Sequence, residues 1–288
     1  AGLLPSGNSV MDHLEGVGPE KPYHGPATPF IAVPTTAGTG SEATKNAVLS
    51  VRGPEGFKKS FRHDLLVPEY ALLDPDLLAN CPKPQIAANA MDALTQLLES
   101  YVSSKANPFT DALAESGLKA VREGLFAWYD GGEQAAVGRS RMAYAALLSG
   151  ICLAQTGLGS VHGLASPLGA FFPIPHGVVC GTLVGAATRV NLAALREREP
   201  DHPSWRKYAR AGDLLHGRHY PGPEESHAAL LALLDDWTER LALPRLGAYG
   251  IREGDFARVV AHSRGGSMKT NPLILSDAEI AEVLRQRL

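Results

Sequence analysis

The residue pattern of the chain changes at Pro82–Pro84, and this change is the feature that most restricts its fold. Beyond these prolines, apolar residues recur at the three-to-four-residue spacing of amphipathic helices almost to the C-terminus. Before them, short apolar segments alternate with turns rich in Gly, Pro and Thr, which is typical of an α/β unit. We therefore predict a partial α/β domain over residues 1–80 and an all-helical domain over residues 81–288.

Within the first region, we predict a short helix inside Ala1–Glu15 and strands at Pro29–Val33, Ala47–Val51 and Tyr70–Leu73. In the second region, the spacing predicts helices at Ile86–Ser103, Pro108–Trp128, Glu133–Ala154, Val161–Ala170, His176–Arg196, Trp205–Leu215, Glu224–Leu241, Glu253–Arg264 and Asp277–Arg285. Ser276 and Glu279 have the spacing of a capping box, which predicts where the last helix begins.

Charge and cysteine content exclude several classes of protein. A formal net charge of −3 without a basic cluster argues against nucleic acid or an anionic membrane as the partner. Cys81, Cys152 and Cys180 are widely spaced, outside any C-x-x-C pattern, and are expected to be reduced core thiols. No apolar run approaches the length that spans a bilayer, and the N-terminal pattern is not that of a signal peptide. We expect a cytoplasmic protein.

Two histidines, His162 and His176, lie in the apolar segment GLGSVHGLASPLGAFFPIPHG, which is punctuated by Gly and Pro. Neutral imidazole is the commonest protein ligand of first-row transition metals. Upstream, Asp92 and Gln96 are spaced i,i+4 and therefore share one face of a helix. A buried carboxylate is costly unless it is paired or bound to a metal. These residues together predict the floor of a metal-centred active site.

The turn after the first predicted strand has the sequence PTTAGTGSE, Pro34–Glu42. Ligands of α/β folds bind at the carboxyl ends of strands. Gly38 allows close approach of a ligand to the backbone. The hydroxyls of Thr35, Thr36 and Thr39 can donate hydrogen bonds to ribose or phosphate oxygens. The pattern is compatible with a ligand-binding turn, although a turn rich in Gly and Thr is more often a turn without a ligand.

Three segments together resemble the iron-containing (group III) alcohol dehydrogenases: PTTAGTGSE, DPDLLANCPKPQIAANAMDALTQLLESYVS and GLGSVHGLASPLGAFFPIPHG. They occur in the family's order with similar spacing, and MKTNPLILSDAEI resembles the family's last helical segment. The resemblance implies a dehydroquinate-synthase-like architecture, in which a dinucleotide-binding α/β domain precedes a helical metal-binding domain with the active site between them. It also implies hydride transfer with NAD or NADP, a bound Fe²⁺ or Zn²⁺ ion, and a homodimer.

The family begins with a further segment of about a hundred residues, whose Gly-Gly-Gly-Ser loop holds the cofactor pyrophosphate through backbone N–H groups. The present sequence starts near the helix that follows that loop, at AGLLPSGNSVMDHLE. We therefore expect this stretch alone to bind a dinucleotide weakly. Lys58, in GFKKSF, falls where the family has a lysine that reaches the cofactor.

The resemblance also implies a ligand set, one aspartate and three histidines. Asp92, His162 and His176 occupy three of these positions, and Gln96 stands in place of the remaining histidine. An amide oxygen ligates a divalent ion more weakly than imidazole does. A further family histidine, which helps the proton to leave, is replaced by Ser166, whose hydroxyl can pass a proton but cannot hold one near neutral pH. The metal shell is therefore expected to be altered, or the metal lost.

The resulting hypothesis is an NAD(P)-dependent oxidoreductase that interconverts a small alcohol and its aldehyde or ketone. A divalent metal would polarise the substrate oxygen. Phe171 and Phe172 are predicted to line a mostly apolar substrate pocket. Gln96 and Ser166 instead favour a metal-independent reductase resembling the maleylacetate reductases, in which the histidines act without an ion. A truncated, non-catalytic paralogue is the third possibility, and the missing phosphate loop favours it.

Overall fold

The computed structural model describes residues 1–288. The first 82 residues contain four short strands that form two small sheets. Strand β1 (Ile31–Ala32) pairs in parallel with β4 (Tyr70–Ala71), and β2 (Asn46–Val51) pairs antiparallel with β3 (Phe57–Arg62). The predicted strands are found, β1 and β4 being shorter than expected. The prediction of a helix within Ala1–Glu15 is wrong, because only a 3-10 turn at Val10–Asp12 forms there.

Strand β3 is an element that the sequence analysis missed. Its sequence, FKKSFR, has adjacent lysines that interrupt the apolar alternation expected of a half-buried strand. The strand nevertheless pairs along its whole length with β2, in a register that places Val48 opposite Ser60. Phe61 is buried with Leu14 and Tyr23 in a small hydrophobic cluster. Strand β3 matters to the site because Lys58 lies on it.

Nine helices follow, as the sequence pattern predicted, and their bounds differ from the expected ones by a few residues at most ends. They are α1 (Lys83–Val102), α2 (Pro108–Asp130), α3 (Ala135–Thr156), α4 (Ser160–Phe171), α5 (His176–Arg198), α6 (Pro203–His216), α7 (Pro223–Arg240), α8 (Phe256–His262) and α9 (Asp277–Arg285). The capping box at Ser276 and Glu279 is confirmed at the start of α9. The α/β plus all-α architecture is thus confirmed, while the domain boundary at residue 80 stays a prediction.

Helix α1 is the central helix of the protein. Every residue from Ile86 to Val102 is buried, so the helix is enclosed on all sides. Helix α5 is also internal. It is long and apolar enough to cross a membrane, but 89% of the residues in its most apolar 18-residue stretch are buried within the protein. The expectation that no segment reaches that length and hydropathy is therefore wrong, and the burial is that of a core helix. Polar residues on α1 face protein rather than water, which requires partners for each of them.

Helices α1 and α5 approach closely because glycine lies at their contact. A Cβ added at Gly177 would lie 2.5 Å from the carbonyl oxygen of Ala88, well inside van der Waals contact. This close approach brings the first turn of α5, with His176, against α1 and its Asp92.

Replacing Gly177 by Ala is expected to lower the free energy of unfolding by about 1–3 kcal/mol, because the added methyl forces α1 and α5 apart. Denaturant titration measures this change. Gly254→Ala is the matched control, since a Cβ there meets nothing within 4 Å. Equal stability of the two variants would contradict the close helix packing.

Candidate metal centre

Three helices bring four potential metal-binding side chains to one point. Asp92 lies in the middle of α1, His162 near the start of α4, and His176 and Cys180 one turn apart on α5. One donor atom from each lies within 4.8 Å of all the others. Asp92 and Cys180 are fully buried, His162 is buried, and His176 is half-buried. The structure thus brings together Asp92, His162 and His176 as the sequence predicted.

The spacing of these atoms fits a single transition-metal ion. Asp92 Oδ1 lies 3.3 Å from His162 Nε2 and 3.8 Å from His176 Nε2. Ligand atoms at the edges of a tetrahedron with metal–N and metal–O bonds of about 2.0–2.1 Å lie about 3.4 Å apart. Small side-chain movements would therefore place these atoms around one ion. The distances between the three donor atoms therefore fit a divalent metal ion.

Glu99 orients His162. Its Oε2 lies 2.7 Å from His162 Nδ1, which donates to it, and its Oε1 accepts the backbone N–H of Val161 at 2.7 Å. Glu99 thus holds both the imidazole and the first turn of α4 that carries it. With Nδ1 protonated, Nε2 faces Asp92 and the site centre. A carboxylate on the far nitrogen is the usual arrangement behind a metal-binding histidine.

His176 has a different partner. The Nζ atom of Lys58, on strand β3, lies 3.1 Å from His176 Nδ1 and donates to it. Burial lowers the pKa of Lys58, and the nearby acidic groups of Cys180 and Asp92 oppose that effect. The first turn of α5 therefore contacts β3 through a cation that lies beside the metal centre.

The four donor groups hold protons unequally when no ion is bound. Burial favours the neutral form of Asp92, but contacts with His176 and His162 outweigh it and lower its pKa to about 2. Burial lowers the pKa of His176 to about 4 and raises that of Cys180 to about 12. Burial also favours neutral His162, but its acidic neighbours raise its pKa well above the ordinary value. Metal binding must therefore displace a proton from His162 Nε2.

Gln96 is buried one turn beyond Asp92, as its spacing predicted. Its Oε1 lies 2.9 Å from Ser149 Oγ of α3, whose single proton also has the carbonyl oxygen of Ala146 within reach at 2.7 Å. The atom predicted to ligate the metal therefore contacts another helix.

A cavity of about 740 Å³ opens beside the metal centre. Its lining includes His162, His176, Lys58, Ser166, Gln96 and Thr39. Ser166 Oγ donates to the backbone oxygen of Lys58 at 3.0 Å, which links α4 to β3. Polar side chains outnumber apolar ones in the lining, and Phe171 and Phe172 are not part of it, so the prediction of a mostly apolar pocket lined by these phenylalanines is wrong. Phe171 instead packs against His262 and Arg258.

The Gly/Thr-rich turn lies at one edge of this cavity. Thr39 contributes to the lining, whereas Thr35 and Thr36 are exposed outside it and Gly38 is buried. A Cβ at Gly38 would lie 2.8 Å from the Cβ of Asn89, so the close approach predicted at this glycine is to helix α1.

Sequence reasoning missed two residues of the centre. Cys180 was expected to be an ordinary core thiol, as Cys152 is, yet it lies among the metal donors. Its i,i+4 spacing from His176 was the available signal. The contact of Glu99 with His162 depends on how α4 docks against α1, and no spacing in the sequence indicates it.

Comparison with known proteins agrees with this geometry. Residues 86–288 match the C-terminal region of the Fe-containing alcohol dehydrogenase family, and residues 3–75 match iron-containing alcohol dehydrogenase. The chain is 36% identical over 269 residues to 1-propanol dehydrogenase PduQ of Salmonella typhimurium, covering 90% of this chain and 69% of that protein.

Solved structures give the same result. The crystal structure of a 1,3-propanediol oxidoreductase superposes with a TM-score of 0.82 at 31% identity, over 92% of this chain and 67% of that one. Sulfoacetaldehyde reductase from Bifidobacterium kashiwanohense, in complex with NAD⁺, superposes with a TM-score of 0.80 at 26% identity, over 97% of this chain and 69% of that one. The matched regions together extend over nearly the whole chain. The chain belongs to the iron-containing alcohol dehydrogenase family and is an oxidoreductase of that type.

Proposed function

We propose that the protein interconverts a small primary alcohol and its aldehyde, with NAD⁺ or NADP⁺ as hydride carrier and Fe²⁺ or Zn²⁺ as metal. The observation that carries this proposal is the convergence of Asp92, His162 and His176 beside a cavity large enough for substrate and nicotinamide. The names of the propanol and propanediol relatives support three-carbon alcohols as substrates. The NAD⁺ complex of the reductase relative supports NAD.

The role of each residue in the site follows from the atom that it offers. Asp92 Oδ1, His162 Nε2 and His176 Nε2 would hold the ion, and Glu99 keeps the His162 ring in place. Lewis-acid polarisation of the substrate oxygen is the chemistry that a divalent ion supplies when bound, and hydride exchange is what a nicotinamide supplies. The protein's own task is then to position the carbinol C–H bond and to remove the hydroxyl proton.

Ser166 is the proposed exit for that proton. Its half-buried hydroxyl lines the cavity and already donates to the oxygen of Lys58. When this hydroxyl turns from the Lys58 oxygen toward the cavity, it can accept a proton on its oxygen while it releases its own to solvent. Because serine does not store the proton, the final acceptor is water or buffer.

Lys58 is the proposed cofactor-binding cation, and Thr39 of the turn, which lines the same cavity, is proposed to assist it. The cofactor roles of Thr35, Thr36 and Gly38 stay predictions. With Nε2 of His176 committed to a metal, the ring proton resides on Nδ1. The Lys58 ammonium then has no acceptor at that nitrogen. It becomes available to an anionic ligand in the cavity, such as a dinucleotide phosphate.

We further propose a cytoplasmic homodimer with no nucleic-acid or membrane partner. Unpaired cysteines support the compartment, and the slightly negative net charge supports the absence of nucleic-acid and membrane partners, whereas the homodimer rests on the family resemblance alone. The alternatives of a metal-independent reductase and a non-catalytic paralogue are not favoured, since the donor cluster fits an ion and the 36% identical relative is named a 1-propanol dehydrogenase.

The test is metal content measured separately from turnover. Protein purified without chelator is expected to contain equimolar iron or zinc and to reduce NAD⁺ with 1-propanol. Chelation should abolish both properties, and anaerobic addition of Fe²⁺ or Zn²⁺ should restore them. Turnover that survives complete metal removal would instead identify a metal-independent reductase. Full metal occupancy without turnover at saturating dinucleotide would identify a non-catalytic protein.

Replacing Lys58 by Ala is expected to raise the KM for the dinucleotide about 10- to 100-fold without loss of metal, because a charge-assisted hydrogen bond contributes about 1.5–3 kcal/mol. Initial-rate kinetics at varied NAD⁺ measure the effect. Lys45→Ala is the matched control, since Lys45 pairs with the exposed Asp64. A Lys58 variant with an unchanged KM would contradict the assigned role.

A further inference from the structure

We propose that Cys180 is the fourth protein ligand of the metal centre, bound as a thiolate with a fifth position left for the substrate oxygen, and that it makes the site selective for a thiophilic divalent ion such as Zn²⁺. This inference rests on the proposed metal-dependent function and extends it to a ligand that the family resemblance does not supply.

The position of the sulfur fits a metal ligand. Cys180 Sγ lies 3.5 Å from His162 Nε2 and 3.8 Å from His176 Nε2. With a metal–S bond of about 2.3 Å and metal–N bonds of about 2.0–2.1 Å, tetrahedral geometry separates S and N by about 3.5 Å. By contrast, Cys152 Sγ contacts the carbonyl oxygen of Thr110, as an ordinary helix thiol does. Cys180 thus faces the atoms that would bind the ion.

Gln96 is the competing candidate, and its surroundings disfavour it. Its Oε1 lies 2.9 Å from Ser149 Oγ of helix α3, whereas Cys180 Sγ faces both histidine nitrogens. An amide oxygen is also a hard, neutral ligand that suits Mg²⁺ or Ca²⁺ better than zinc.

Charge balance gives an independent argument. Asp92 and Cys180 are both fully buried, and a carboxylate with a thiolate neutralises the two positive charges of the ion. When the Glu99 carboxylate behind His162 and the Lys58 ammonium beside His176 are also counted, the centre is neutral with a Cys180 thiolate and carries one positive charge with Gln96 as the fourth ligand. Buried charge without a partner is strongly unfavourable. Binding breaks the S–H bond, forms the S–metal bond and releases the proton to solvent, with no change of oxidation state.

Cobalt substitution tests the inference by spectroscopy. Co²⁺ added to metal-free protein is expected to bind in equimolar amount and to produce a near-ultraviolet thiolate-to-metal charge-transfer band. Cys180→Ser should lose that band, and its Zn²⁺ affinity should fall at least about 10-fold, the smaller effect seen even for indirect metal partners. Cys152→Ser should keep both properties.

A complementary variant guards against misfolding of Cys180→Ser. In Cys81→Ser combined with Cys152→Ser, Cys180 is the only cysteine, and the band should persist. Equimolar Co²⁺ without the band in the wild type, or a band that survives Cys180→Ser, would overturn the inference while leaving the Asp92–His162–His176 centre intact. Absence of any Co²⁺ binding would overturn the inference and the proposed function together.

Discussion

Replacing Asp92 by Asn is expected to weaken metal binding by more than about 100-fold, since loss of even an indirect metal partner costs about 10–100-fold. The substitution keeps the size of the side chain and removes the carboxylate that lies 3.3 Å and 3.8 Å from the two histidine nitrogens. Alcohol oxidation is expected to disappear with the metal. Competition titration against a chromophoric chelator measures the affinity, and coenzyme reduction measures the activity.

The matched control is Asp111→Asn, which removes a carboxylate that pairs with Lys207 in another part of the helical region. That variant should retain wild-type metal content. Equimolar metal held at wild-type affinity by the Asp92 variant would contradict the assigned centre. Circular dichroism of both proteins distinguishes loss of the ion from loss of the fold.

Replacing Glu99 by Gln is expected to weaken metal binding about 10- to 100-fold, the range measured for carboxylates behind metal-binding histidines. The amide keeps an oxygen for His162 Nδ1 but removes the charge that strengthens that hydrogen bond at 2.7 Å. Metal affinity measured at high pH, where no proton competes for His162 Nε2, isolates this effect. Glu115→Gln, on helix α2, is the control, since Glu115 contacts Tyr101 and Arg210.

The pH dependence of the same variant separates positioning from a merely structural role. Glu99 is one of the acidic neighbours that raise the pKa of His162, so a proton competes with the metal up to a higher pH in the wild type. In the Glu99→Gln variant the pKa of His162 falls, and the pH at which affinity begins to decline shifts downward. A variant that weakens affinity equally at every pH, with no shift, would show that Glu99 only supports the fold.

The helical part of the fold and three members of the centre were predictable from local pattern. Helix α1 shows why: a run of apolar residues containing Asp92 at an interior position predicts both the helix and a buried carboxylate that needs a partner. The place of His162 and His176 in the candidate site was predictable, because imidazoles are unusual in an apolar segment interrupted by Gly and Pro. The family was predictable from three motifs in order.

Other features depended on contacts between distant segments. Strand β3 was not predicted, because the lysines of FKKSFR interrupt the apolar alternation. The strand forms because pairing with β2 and the burial of Phe61 outweigh this local pattern. Ala1–Glu15 was predicted to contain a helix yet forms only a 3-10 turn, since short helices are marginal without tertiary packing. Gln96 was predicted to be free for a metal, but helix α3 places Ser149 against its oxygen.

The order of the helices followed from periodicity, the family from the resemblance of three motifs, and the candidate residues Asp92, His162 and His176 from polar side chains placed within apolar segments, all of which are local features of the chain. Only the tertiary structure placed Cys180 among the donors, Glu99 behind His162, and Lys58 beside His176. These contacts join residues 18 to 118 positions apart, and they exist only once α1, α4, α5 and β3 are packed together. A metal centre is a set of distances between segments, and spacing along one segment does not specify those distances.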